Sequence, residues 1–233
     1  MYYRFFIKSV TRYTAYAICG RLTPRIGSVK VGEYSLMAVR IRHQSLENYF
    51  QLTSEDLYKC KIFCENMVAY QKTQRHGGDL VRTDIMKQYD IYRGKIAEFV
   101  VQYFFKQYHK ESNIDLNIYG WGKWDDGDLM VDNKTYSIKS GKYFASWLML
   151  EKDNRRWEKP PNYFVFVTIN KDEDGGTIHG YTTPSIIFQD KYLQFKGNNL
   201  KGTNTKLDVD NYCMHKTTLS NDWFKKGLLD KLF

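Results

Sequence analysis

The chain has 233 residues, of which 42% are hydrophobic and 16% aromatic, enough to bury the core of one domain with a small appendage. No stretch reaches the roughly 18 apolar residues of a membrane helix. The four cysteines (Cys19, Cys60, Cys64, Cys213) follow neither a disulfide framework nor zinc spacing. A chain with no membrane span, in a reducing cytoplasm, is the expectation. The net charge of +9 is uneven, because residues 1–51 hold eight Lys/Arg and two acids while the remainder holds 27 and 24. The basic total is therefore weak evidence that the main domain meets nucleic acid.

Residues 1–50 carry no acid before Glu33 and are punctuated by Gly20, Pro24, Gly27 and Gly32. They read as a basic N-terminal extension or a small β-rich appendage. A transit-like leader and an upstream extension ahead of Met37 are alternatives. Residues 51–233 are expected to form the main domain. Ser54-Glu55-Asp56 opens a helix to about Tyr70, and a basic loop runs from Gln71 to Gly78. A second helix spans about 90–108, with apolar residues at 97, 100, 101, 104 and 108. Glu98 lies at the edge of that stripe. Gly94, one turn earlier, costs the helix about 1 kcal/mol, which close approach of a backbone or ligand would explain.

A strand over Ile114 to Tyr119 leads to the hairpin Asp128-Leu129-Met130-Val131-Asp132-Asn133-Lys134-Thr135-Tyr136-Ser137-Ile138-Lys139. Tyr136 and Ile138 alternate with Ser137 and Lys139, the period of a half-buried strand. With a two-residue loop at Asp132-Asn133, Asp128 falls opposite Ser137. With the loop at Asn133-Lys134, it falls opposite Lys139. A plain three-residue loop would place it beside Ile138 instead. Ser140-Gly141 then turns into a helix expected over about 143–151, and Pro160-Pro161 closes a polar loop. Residues 163–169 read as a buried central strand. A strand at 177–183, a short helix at 184–192, a loop at 196–206, an edge strand at 212–219 and a terminal helix at 221–232 complete the reading. The order α-β-β-β-α-β predicts an α/β (α+β) domain with a mixed central sheet and helices on both faces.

A helix with an edge glutamate, a strand opening on Gly127-Asp128 and a strand carrying Ser137-Ile138-Lys139 resemble the PD-(D/E)xK nuclease superfamily in its restriction-endonuclease-like branch, over roughly residues 85 to 185. The resemblance implies a three-layer core, Asp128 as metal ligand, Lys139 as catalytic lysine and Glu98 as an auxiliary acid. It also implies Mg²⁺ or Mn²⁺ as cofactor. Carboxylate oxygens suit such ions, and the metal offsets charge on a scissile phosphate. Two departures stand out. Gly127 replaces the proline, and Ser137 replaces the acid two residues before the lysine. Either Glu98 supplies the second carboxylate, or Ser137 holds the metal through water, or the site is inactive.

The resemblance implies a Mg²⁺-dependent DNA endonuclease, most like a type II restriction enzyme, acting as a homodimer on double-stranded DNA. Lys142, Arg155 and Arg156 are candidates for phosphate contacts. The alternatives are a non-catalytic nucleic-acid-binding or structural member of the same fold, and a repair or RNA nuclease.

Overall fold

The computed structural model describes residues 25–31, 34–40, 48–73, 84–108, 110–118 and 128–222. The chain divides into two units between Leu46 and Glu47. In the first unit, β1 (Arg25–Val31) and β2 (Tyr34–Arg40) pair antiparallel, from Arg25 opposite Arg40 to Val31 opposite Tyr34. Met37 lies inside β2, so a chain begun there starts in mid-strand.

The second unit is mixed α/β. Helix α1 (Ser54–Thr73) begins where Thr53 accepts the Asp56 amide through its hydroxyl, an N-cap that satisfies one of the helix's free donors. Glu55 and Asp56 in the first turn suit the positive end of the helix dipole. Helix α2 (Asp84–Gln107) buries Ile96, Ala97, Val100, Val101, Phe104 and Phe105 at three- and four-residue spacing. Burying each large apolar side chain there contributes about 1.5–3 kcal/mol. Contrary to the explanation offered for Gly94, no described atom lies within 4 Å of where its Cβ would stand.

Six strands form the central sheet: in spatial order β3 (Tyr49–Gln51), β9 (Gly175–Thr182), β8 (Tyr163–Ile169), β6 (Lys134–Lys142), β5 (Leu129–Val131) and β4 (Asn113–Ile114). Strands β6 and β8 run parallel, and every other neighbouring pair is antiparallel. The mixed sheet is as expected, although the strand predicted over 114–119 is only two residues long. One face of the sheet packs on α2 through Leu129, Val131, Tyr136, Ile138, Val165, Val167 and Ile178.

The other face departs from expectation. No helix occupies 143–151: β7 (Trp147–Glu151) runs there instead. It joins β11 (Asn211–His215) and β10 (Leu193–Gln194) in a three-stranded sheet of order β10-β11-β7. Leu148 and Leu150 alternate inward and, with Met214, Leu219 and Ile187 of the one-turn helix α3 (Pro184–Ile187), cover Phe164 and Phe166. The crossover between the parallel strands therefore runs through β7 and a 3₁₀ turn, Arg155–Glu158. The second face is covered by a small sheet and α3, not by a long helix. The edge strand expected at 212–219 is instead β11 at the centre of that small sheet, ending at His215 before a 3₁₀ turn, Lys216–Thr218. The terminal helix predicted at 221–232 falls almost wholly outside the described residues. Among the described residues, no helix is long and apolar enough to cross a membrane.

Candidate active site

The hairpin turn decides the site. Asp132 and Asn133 have φ of 47° and 59°. Left-handed backbone at both central positions makes a two-residue turn whose twist matches the flanking strands. Asparagine and aspartate tolerate it because their short side chains hydrogen-bond locally. Val131 then pairs with Lys134 and Leu129 with Tyr136. Of the registers open to the sequence, this one sets Asp128 opposite Ser137.

The contacts agree with that register. Asp128 Oδ2 accepts the Ile138 amide at 2.6 Å and the Ser137 hydroxyl at 3.2 Å. Its Oδ1 has no hydrogen-bond partner among the described residues. Ser137 is 7% exposed and Asp128 is half-buried, so the hydroxyl is sheltered while the carboxylate keeps contact with water. Lys139, two residues along β6, shares their face. Its Nζ stands 5.7 Å from the centroid of the Trp157 ring, within range of a cation–π attraction. Trp157 packs edge-on to Phe164 and donates its Nε1–H to the Glu151 carbonyl at 2.6 Å. The lysine is thus seated over an aromatic wall on the side of the sheet away from α2.

Glu98 sits in the helix layer. It is buried, and its carboxylate pairs with Lys95 Nζ at 2.8 Å. The same ammonium donates to the Asp115 carbonyl at 3.0 Å and stands 4.1 Å from the Phe63 ring centroid. Burial, followed by the Glu98 charge, pushes the Cys60 thiol up to about 12, which places that carboxylate near α1. Asp128, Ser137 and Lys139 come together on one face, while Glu98 belongs to the layer packed on the other. Among the described residues, no three His, Cys, Asp or Glu side chains gather as a metal-holding group.

Of the phosphate-contact candidates, Lys142 is exposed at the end of β6. Arg155 and Arg156 open the 3₁₀ turn, and their side chains lie outside those described. Sequence reasoning passed over a polar pair on the same sheet face. His179 Nε2 meets Thr168 Oγ1 at 2.8 Å. It is the extra residue of a β-bulge, because Phe166 pairs with Gly180 while Val167 pairs with Ile178. Burial, then the Lys216 charge, depresses the imidazole to about 4. Gly180, at φ 140°, was the one signal available for this bulge.

Comparisons with family models, with curated proteins and with solved structures find no match for this chain.

Proposed function

We propose that the chain is a Mg²⁺- or Mn²⁺-dependent endonuclease of the PD-(D/E)xK type, hydrolysing phosphodiester bonds of double-stranded DNA as a restriction-like homodimer. The observation that carries the reading is the hairpin register, which gathers Asp128, Ser137 and Lys139 on one face. The order of parts supports it as well. Helix α2, the meander β4-β5-β6 and then β8 parallel to β6 follow the order expected of a restriction-endonuclease-like core, with β7 in place of the crossover helix.

The donor set fits a magnesium ion in minimal form. Mg²⁺ is commonly held through one or two carboxylates together with substrate phosphates, and Asp128 offers Oδ1 while Oδ2 stays fixed by the Ile138 amide. The Ser137 oxygen is the neighbouring group for a water-mediated contact. When bound, such an ion offsets charge on the scissile phosphate. Lys139, as an ammonium, would donate to the attacking water and steady the negative charge that develops as the proton passes to solvent. Lys142, Arg155 and Arg156 contact the phosphate backbone and set orientation.

Supercoiled plasmid incubated with the purified protein and Mg²⁺ tests the reading. Nicked or linear product should form, and should vanish in Asp128→Asn along with calorimetric Mg²⁺ binding. Cleavage by Asp128→Asn at the wild-type rate would overturn the assignment. A second reading has its own support: Glu98 is committed to Lys95 and Ser137 stands where an acid is usual. Those two facts favour a non-catalytic nucleic-acid-binding member of the fold. DNA binding without Mg²⁺ binding or cleavage would select it.

A further inference from the structure

The turn that ends β6 presents two large aromatic side chains to solvent. Tyr143 is 47% exposed and Phe144 66%. Their rings stand edge to face at 5.0 Å between centroids, with Lys142 Nζ 6.0 Å from the Phe144 ring. Adjacent exposed aromatics give up burial that the core would otherwise gain, and such patches mark contact surfaces.

The turn is held rigidly. The Ala145 amide donates to the Lys142 carbonyl at 2.7 Å. The Ala145 carbonyl accepts from Lys216 Nζ at 3.4 Å, and the Lys216 amide donates to the Ser146 carbonyl at 2.8 Å. Gly141 makes the tight fold-back possible, since a Cβ there would come within 2.7 Å of Ala145 Cβ. The aromatics are therefore presented by a fixed frame.

The local charge is one-sided. No acid occurs between Asp132 and Glu151, a stretch that contains Lys134, Lys139 and Lys142. None occurs between Asp210 and Asp222, a stretch that contains Lys216 and His215. Strands β7 and β11 bring these two stretches side by side, with Trp147 opposite His215. At the neighbouring β8–β9 turn, Glu173 is paired with Arg93 and Asp174 is engaged by Asn170 and Gln51, while Asp172 is exposed.

We propose that Tyr143 and Phe144 form a stacking platform for unpaired bases, flanked by Lys142 as a phosphate contact. Aromatic faces accept any base, and adjacent ammonium groups track the backbone. The inference rests on the nuclease reading for its geometry. Tyr143 lies four residues beyond Lys139, so about 13 Å of strand separates them, and a bound strand would pass from one to the other.

The test is fluorescence anisotropy in EDTA with a labelled single strand of about 20 nucleotides and the matching duplex. The Tyr143→Ala/Phe144→Ala double variant should weaken single-strand binding about tenfold or more. It should leave duplex binding and the salt slope nearly unchanged. Lys142→Ala should lower the salt slope on both ligands. Equal single-strand affinity for wild type and the aromatic variant overturns the proposal, as does no nucleic-acid binding by wild type. Loss of binding to anionic vesicles with single-strand affinity intact overturns it in favour of a membrane surface. Plasmid cleavage read in parallel separates the two claims. Cleavage with no aromatic effect sinks only the platform, while an aromatic effect without cleavage under Mg²⁺ or Mn²⁺ sinks only the nuclease.

Discussion

The two faces of the central sheet handle charge differently. On the face under α2, Leu129, Val131, Tyr136 and Ile138 are buried among apolar neighbours, and the ionic groups of that layer, Lys95 and Glu98, are paired with each other. On the face under β7 and β11, a carboxylate is held by a backbone amide and a hydroxyl, and a lysine stands over an indole. A side chain spent on a buried partner is costly to free. One held by neutral donors keeps its charge available to a ligand. On the proposed reading, chemistry belongs to the second face and structure to the first.

Several variants break or sharpen this contrast. The largest expected effect is on activity: Lys139→Ala should slow plasmid cleavage by about 10²–10⁴-fold with the far-ultraviolet circular dichroism of the folded protein retained. Full cleavage by this variant would remove the second face from the chemistry. Next comes Glu98→Gln, which strands the Lys95 ammonium in a buried site. Breaking such a pair costs about 3–5 kcal/mol, visible as a lower urea midpoint, and replacing both partners by apolar residues should recover most of it. Unchanged stability, together with lost metal binding, would move Glu98 to the functional side.

A smaller effect concerns His179. Its ordinary value is 6.5, and in the fold it sits at about 4 because burial disfavours the charged ring. Between these values the unfolded chain takes up a proton that the folded chain does not. Stability is therefore complete above about pH 6.5 and declines as pH falls through 4. Melting curves at pH 7, 5.5 and 4 should show this slope, reduced in His179→Gln. Parallel curves for the two proteins would show that another group is responsible. The smallest effect is a gain. Gly94→Ala adds helix propensity of up to about 1 kcal/mol at a position with open space around it. A loss of stability there would mean that the site is more crowded than its described neighbours indicate.

Helix α1 and the hairpin turn were readable because their signals are local, whereas α2 begins at Asp84, six residues before the start that the apolar stripe marked. Ser54-Glu55-Asp56 marks a helix start whatever surrounds it. Asp132, Asn133 and Lys134 marked the turn, and the left-handed backbone at Asp132 and Asn133 in the structure selects one of the registers that the sequence left open. Strand β8 announced itself by an unbroken apolar run. Residues 147–151 did not, because Trp-Leu-Met-Leu-Glu suits a helix by propensity and becomes a strand only through pairing with β11. The same non-local pairing turned an expected edge strand into a central one. At the site, counting residues put Asp128, Ser137 and Lys139 on one face for either two-residue loop but not for a three-residue one, a choice that the backbone at Asp132 and Asn133 makes. The Ile138 amide that fixes Asp128 could not, since any residue carries one. The Lys95–Glu98 pair had a visible signal, opposite charges three apart on a helix. Its burial against Phe63 depends on α1 and was not visible.

The pairing of β7 with β11 also sets an order in time. Trp147 meets His215 and Glu151 meets Asn211, contacts 68 and 60 residues apart along the chain. The β5–β6 hairpin closes over a two-residue loop. Short loops close early, and long ones bear the larger entropy of closure. As the chain leaves the ribosome, the hairpin bearing Asp128 and Lys139 can form as soon as its own residues emerge. Phe164 and Phe166 wait uncovered until Met214 and Leu219 have been synthesised. The hairpin can therefore precede the small sheet, whose β7–β11 pairing must span at least 60 residues of chain.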